Sequence, residues 1–504
     1  MCSYLSSLPV ELTDLITREL DVDALRNIRL VCRALCENVT RSKRFTDLLR
    51  HQRRRLIQYD LGMLLAIAKH ETFSQYVTAL TLVIPVYNGG TLRKMIATRK
   101  CVASVEMRDD ERIETTEDCD EETLEKARDT LKWMTSQNVA HGRHASLLGK
   151  VFGQLQNLQT LRIEAAVLSY PPLESENHPG DDHTEAWQTR WLYVANGCQS
   201  VFWALGEAQP GNLQHLDILP NTNSRSLTLP AMASLRGMLN FNNFNDDFNF
   251  NNIKTLSLRV ASDLTTEMRR KQPLGVPKPP EDDGFHAALR YCSWTQRKHH
   301  WGPADAADER QMMTSTASFI ALMPGLEALD LYFGDPSTSR TSQNKASSQV
   351  FHHISELVYL PLLHKFVLRG FHCTVFALLD FLDFHPKLTH IELHNIRFTE
   401  GDWQPVFDHL SQMAHLDDVL LSSIWSDKLV HLGMLGDGPE VWTEKSDWFP
   451  RLGPGVTRLL HTRRFNRAQL QQGLNLIPYT QGRPLDSPQS RTWRMNMQKE
   501  YRSR

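Results

Sequence analysis

The chain has 504 residues, enough for about three domains, and 41% of them are hydrophobic, which is ample for ordinary cores. Its 56 Lys and Arg against 58 Asp and Glu leave a formal charge of −2, so no global field draws it toward nucleic acid or an anionic membrane. Apolar runs such as Leu362–Leu363 and Val375–Leu379 break far short of the ~18 residues of a membrane span. Met1–Leu20 carries Glu11, Asp14 and Glu19 and has no basic-then-apolar leader. We therefore expect a soluble protein of the cytoplasm and/or nucleus with neither membrane nor nucleic-acid partners. The eight cysteines, Cys2, Cys32, Cys36, Cys101, Cys119, Cys198, Cys292 and Cys373, include no C-x-x-C pair and read as reduced thiols.

Leu12, Leu15, Ile16 and Leu20 recur at i, i+3, i+4 and i+8 and predict a first helix with one apolar stripe. Pro9 suits its first turn, where a missing N–H costs nothing, and Glu11 faces the positive end of the helix dipole. A second helix, capped by Asp21 or Asp23, is predicted to bury Leu25 and Ile28. In a third, Val31, Leu35 and Val39 share a stripe opposite Arg33, Glu37 and Arg41. These three helices, residues 1–45, lie near the ~40-residue limit for independent folding, so they are expected to lean on the next domain or on a partner. Arg41–Arg55 is basic and reads as the exposed face of a helical linker over 46–75; a nucleic-acid patch is the lesser reading, since no stacking aromatics are interleaved.

From residue 76 to about 450 a short unit recurs: apolar, two residues, apolar, one residue, apolar. Its eight copies start at Val77, Leu158, Leu213, Ile253, Leu326, Leu363, Leu388 and Leu416. The last two intervals, 25 and 28 residues, suit a leucine-rich repeat, and the longer ones require insertions. By period 2 the fourth and sixth positions share one strand face while the first turns inward, so each copy predicts a strand that buries its face only by stacking on its neighbours. Excursions near 106–126 (acidic), 171–183 and 272–284 (Pro-rich and charged) and 335–348 (Ser/Thr-rich) read as exposed, disordered loops, and 451–504 as a partly disordered C-terminal extension.

No catalytic constellation is present. Gly142 to Lys150 has the wrong spacing for a phosphate loop and Val151 where Ser or Thr is needed, and G-x-S-x-G, H-E-x-x-H and G-x-G-x-x-G are missing. His364, His372, Cys373, His385, His390 and His394 crowd one region, with His390, Glu392 and His394 in a period-2 row, yet solvent- or substrate-facing histidines are the commoner outcome than a metal site. Cys32 and Cys36 read as small core residues. We expect no enzyme activity, no metal and no cofactor.

Leu8-Pro9-Val10-Glu11-Leu12, followed by Ile16, Leu20, Leu25 and Arg29-Leu30-Val31-Cys32-Arg33-Ala34-Leu35, resembles the F-box, and the layout downstream is similar to F-box proteins with irregular leucine-rich repeats of the fungal type. The resemblance implies an α/β chain in which a small three-helix F-box precedes an irregular repeat (βα) solenoid with loop insertions. It also implies the substrate-recognition subunit of an SCF-type ubiquitin ligase: the F-box docks on the S-phase kinase-associated adaptor protein, which a cullin holds, and the repeats bind an unknown protein substrate. On that resemblance Leu8, Pro9, Glu11, Leu12, Ile16, Leu20, Leu25, Leu30, Val31 and Cys32 are the adaptor-binding residues. Of the sites where the repeat consensus wants Asn, only Asn221 has it, while Ala166, Ala261, Gly334, Phe371, Ile396 and Ile424 fill six of the others.

For substrate binding the outward strand positions are the candidates, above all Arg162, Arg259, Tyr332, Arg369 and His394, because Arg and Tyr combine contact area with directional hydrogen bonds. The alternative function is a non-ligase repeat scaffold whose N-terminal helices cap the solenoid, which requires the Leu8, Pro9 and Leu12 edge to be covered by the same chain.

Overall fold

The computed structural model describes residues 8–108, 111–140, 144–169, 183–220, 226–235 apart from 230 and 234, 250–261, 306–334, 340–426, 430, 432 and 462–474. The chain forms two units, Met1–Leu168 with Asn196–Leu216, and Ser169–Ala195 with Asp217–Arg504. The N-terminal helices share a unit with the first strands of a parallel sheet.

In the first unit, α1 (Val10–Arg18), α2 (Val22–Val31), α3 (Arg33–Arg41) and α4 (Lys43–Arg50) run into β1 (His51–Arg55). The Asp21 side chain caps α2 by accepting from the Ala24 N–H at 2.7 Å, and Ser42 caps α4 by accepting from Phe45 at 3.3 Å. Cys32, extended at φ −162°, separates α2 from α3. The basic run is thus not one helical linker: its end, His51–Arg55, pairs in parallel with β2 (Ala79–Asn88), His51 beside Ala79 and Arg55 beside Val83. Helices α5 (Gln58–Lys69) and α6 (Glu71–Ser74) connect the two strands.

β2 continues into α7 (Gly90–Thr98), a hairpin of β3 (Lys100–Arg108) and β4 (Glu111–Asp118), α8 (Glu121–Ala140) and α9 (Ala145–Gln154). The described residues of the segment 106–126, expected to be a disordered loop, are therefore mostly antiparallel strand and helix, and α8 places Ala127 and Met134 against Leu92 of α7. β5 (Thr160–Ser169), α10 (His183–Ala208) and β6 (His215–Ile218) follow, the sheet order being β1-β2-β5-β6. Gly197 of α10 faces β2 so closely that a Cβ there would come within 2.8 Å of the Ile84 side chain.

The second unit contains β7 (Leu227–Thr228), β8 (Thr255–Ala261), α11 (Ala306–Ile320), β9 (Ala328–Phe333), α12 (Arg340–Leu357), β10 (Lys365–Arg369), β11 (His372–Thr374), α13 (Val375–Phe384), β12 (His390–His394), β13 (Arg397–Glu400), α14 (Gln404–Gln412) and β14 (Asp418–Ser422). Its strand order is β8-β9-β10-β12-β14 with β7 beside β8, all parallel, and it ends in β15 (Thr462–Asn466), antiparallel to β14 and followed by α15 (Arg467–Gln471). β11 and β13 form a second parallel ladder. Residues 340–348, expected within a loop, begin α12 and bury Ala346 and Ser347. The other two expected excursions lie outside the described residues except for His183, where α10 begins, and so does the extension beyond Leu474.

All eight sequence repeats are strands, and their first, fourth and sixth positions are nowhere more than 3% exposed. Each copy is entered by the same turn, its first N–H donating to the carbonyl three residues back: Val77 to Ser74, Leu158 to Leu155, Leu213 to Pro210, Ile253 to Phe250, Leu326 to Met323, Leu363 to Leu360, Leu388 to His385 and Leu416 to Met413. Neighbouring copies are then locked together through the second position. Its carbonyl accepts from the second and third N–H groups of the next copy: Thr78 from Gln159 and Thr160, Gln159 from Gln214 and His215, Glu327 from His364 and Lys365, His364 from Thr389 and His390, and Thr389 from Asp417 and Asp418. The turn supplies the entry and the fork supplies the register, which satisfies backbone groups that a lone copy would leave unpaired.

Where three of these strands end, the chain turns through a left-handed residue, Gly370 (φ 73°), Asn395 (φ 52°) and Ser423 (φ 53°). The following position, where an Asn ladder would sit, holds Phe371, Ile396 and Ile424, all buried, so apolar packing replaces side-chain amide bonding there.

Candidate functional site

Two surfaces carry the residues singled out above. The first is the outside of α1 and α2. α1 does not bury its apolar stripe: Thr13 and Thr17 are buried, whereas Leu12, Leu15 and Ile16 are 46%, 56% and 42% exposed. The threonines tolerate burial because their hydroxyls donate to backbone carbonyls, Thr13 to Pro9 at 3.2 Å and Thr17 to Asp14 at 3.1 Å. At the end of α2, Leu30 is 83% and Val31 55% exposed, so Val31 does not share the buried stripe of Leu35 and Val39. The extended Cys32 breaks the helix between them and turns Val31 away.

Of the other expected docking residues, Pro9 and Glu11 are exposed and Leu8, Leu20 and Cys32 half-buried. Leu25 is a correction: at 2% exposure it packs inside the helices and offers no surface. Leu15, outside the expected set, belongs to the exposed group, and its place in the i, i+3, i+4 series was the available signal.

The second surface is the outward face of the strands. In the second unit four of the five expected substrate residues lie side by side in one register row: Arg259 beside Tyr332, Tyr332 beside Arg369, Arg369 beside His394. The row continues through Ser422 to Thr462, whose hydroxyls are 2.9 Å apart. Arg162, half-buried on β5, lies in the first unit. There Glu164, two residues on, accepts from Arg53 of β1 at 3.0 Å.

Charge along this face is organised around Glu392. Burial alone would raise its pKa, but hydrogen bonds from His390 (2.8 Å) and His394 (3.1 Å), with Lys365 at 3.9 Å, bring it down to about 2. His390 also places Nδ1 2.6 Å from Asp418, which Arg464 of β15 approaches at 3.4 Å. Arg369 lies 3.4 Å from Asp330 and 3.8 Å from Glu392. Burial raises the Asp330 pKa against the pull of Arg369, and burial lowers those of His394 and Arg259. The Arg259 guanidinium stacks on the Tyr332 ring, 4.4 Å from its centroid.

The face therefore presents fixed charges of both signs and one aromatic ring, suited to a polar partner surface with complementary charges. Asp418 could be anticipated, since it fills the same repeat position as Lys365 and His390. Arg464 could not, because β15 lacks the repeat pattern. Among the described residues no group of three or more His, Cys, Asp or Glu is placed to hold a metal ion, and no helix is long and apolar enough to cross a membrane. The chain matches no protein-family model and no curated protein.

Proposed function

We propose that this chain is the substrate-recognition subunit of an SCF-type ubiquitin ligase, an F-box followed by an irregular leucine-rich-repeat domain, in the cytoplasm or nucleus. The observation that carries the reading is the outward apolar face of α1 and α2. Leu12, Leu15 and Ile16 on α1 and Leu30 and Val31 at the end of α2 are left exposed, as a docking element for the S-phase kinase-associated adaptor protein would require. The strand face then serves as the substrate surface, with the Arg259, Tyr332, Arg369, His394 row at its centre. The receptor performs no bond chemistry. It raises the local concentration of a target beside a ubiquitin-charged enzyme on the cullin.

The scaffold alternative, in which these helices cap a repeat stack, needs the Leu8, Pro9 and Leu12 edge covered from within; Leu8 is half-buried, but the exposure of Pro9 and Leu12 weighs against it. The test is capture of the purified adaptor by the full chain. Leu12→Glu with Ile16→Glu should abolish capture while the circular dichroism spectrum stays that of the parent. Undiminished capture by this variant, or no capture by the parent chain, would remove the docking surface from the account.

A further inference from the structure

The basic run at residues 41–55, which the ligase reading leaves unused, lines a cavity of about 370 Å³ in the first unit, between α2, α4 and β1. Its walls are divided by chemistry. Leu25, Leu48, Leu49 and Phe45 supply an apolar side, and Arg29, His51, Arg53 and Arg54 supply cationic or ionisable groups, with no carboxylate among the lining residues. The volume is at the lower end of the roughly 300–1,000 Å³ typical of small-ligand sites, and the wall is divided about evenly between polar and apolar surface.

The charges on this wall are unevenly satisfied. Arg53 has Glu164 at 3.0 Å. Arg54 donates to the neutral Gln52 side chain at 2.8 Å, and Gln52 is itself committed to the Leu48 and Leu49 carbonyls. Arg29 has neither hydrogen bond nor ion pair among the described residues; its guanidinium lies 4.4 Å from the Phe45 centroid and 5.6 Å from that of Phe73. The Nε atoms of Arg29 and Arg54 are both removed from solvent and without a hydrogen-bond partner. Leaving such donors unmet is unfavourable, and a guanidinium held by its face against an aromatic ring keeps its edge donors for an oxyanion lying in the guanidinium plane.

We propose that this cavity binds a small organic oxyanion, an acidic group held by Arg29 and Arg54 and carried on a compact apolar body that packs on Phe45 and Leu48. The site is independent of the ligase reading. α2 gives Leu30 and Val31 to the open surface and Arg29 to the cavity. Size excludes polymers, and the apolar wall distinguishes the ligand from a bare inorganic ion.

The experiment is titration calorimetry of the full chain with phenyl phosphate, benzoate and inorganic phosphate at constant ionic strength. Saturable one-to-one binding is expected for phenyl phosphate or benzoate, at least tenfold tighter than for inorganic phosphate, and whichever of the two binds tighter identifies the acidic group. Arg29→Gln and Arg54→Gln should each weaken it tenfold or more, while Arg33→Gln, which removes the same charge from an exposed position, should leave it unchanged. Arg54→Gln lies on a strand and so reports independently if Arg29→Gln disturbs the helices. Absence of saturable binding, equal affinity for inorganic phosphate, or equal weakening by Arg33→Gln would overturn the proposal.

Discussion

At the scale of single residues, the histidines of the second unit differ by where their nitrogens point. His385 is buried, its Nδ1–H donating to the Phe381 carbonyl at 2.6 Å and its Nε2 accepting from the Leu360 N–H at 3.1 Å. Only the neutral ring can serve both, and burial lowers its pKa against the opposing pull of the Phe381 carbonyl. His372 is pushed down to about 4 by burial and by Arg397. For a base whose folded pKa is depressed, the unfolded chain takes up the proton first. The stabilisation is therefore complete above the ordinary value of 6.5 and is lost as pH falls through the folded values, for His372 near 4. Denaturation midpoints should fall steadily between pH 7 and 5, and His385→Gln should lower the midpoint at pH 7.5 yet flatten that slope. A midpoint independent of pH across this range would contradict the assignment of neutral histidines. Glu392 acts in another window, since its stabilisation is present above the ordinary 4.5 and disappears toward about 2.

At the scale of elements, what could be read from the chain depended on whether burial wrote a period into it. The eight strands were legible because every copy buries its first, fourth and sixth side chains. β1 was not, because an edge strand of composition His-Gln-Arg-Arg-Arg buries only Gln52, satisfied by the Leu48 and Leu49 carbonyls, and so shows no apolar alternation. The β3–β4 hairpin was hidden by its acidic composition. The orientation of α1 was hidden for a different reason: an apolar stripe has the same period whether it faces a core or a partner, and only the two threonines opposite hinted at which side is in. The orientation has a direct consequence for stability. Leu12→Gln, Leu15→Gln and Ile16→Gln, which keep helix propensity, should each change unfolding free energy by less than about 0.5 kcal/mol, whereas Leu25→Ala should cost about 2–5 kcal/mol. Chemical denaturation of the purified variants checks the contrast, and a loss at Ile16 comparable to that at Leu25 would mean the stripe is covered.

At the scale of the whole molecule, a parallel sheet built by stacking repeats must end somewhere, and an unpaired parallel edge is a template for another chain. The first strand of the first unit and the last of the second meet this problem with the same residue type: β1 carries Arg53, Arg54 and Arg55, and β15 carries Arg463 and Arg464. The C-terminal solution also reverses direction. β15 runs antiparallel over β14, Asp418 beside Asn466 through Ser422 beside Thr462, and is anchored by Phe465, which is fully buried, and by the Arg464–Asp418 pair. Asn466 and Gln469 then form a reciprocal capping box that starts α15 and holds the closing strand in place. A charge at the anchor should undo the closure without touching the repeats, because the forks between neighbouring copies do not involve β15. Phe465→Asp places a carboxylate where no water reaches, so β15 should detach and open the β14 edge, Asp418–Ser422, to a second molecule. The expected result is concentration-dependent self-association by multi-angle light scattering, with far-UV circular dichroism close to that of the parent. A variant that stays monomeric with its strand content intact would show that β15 is not what protects this edge.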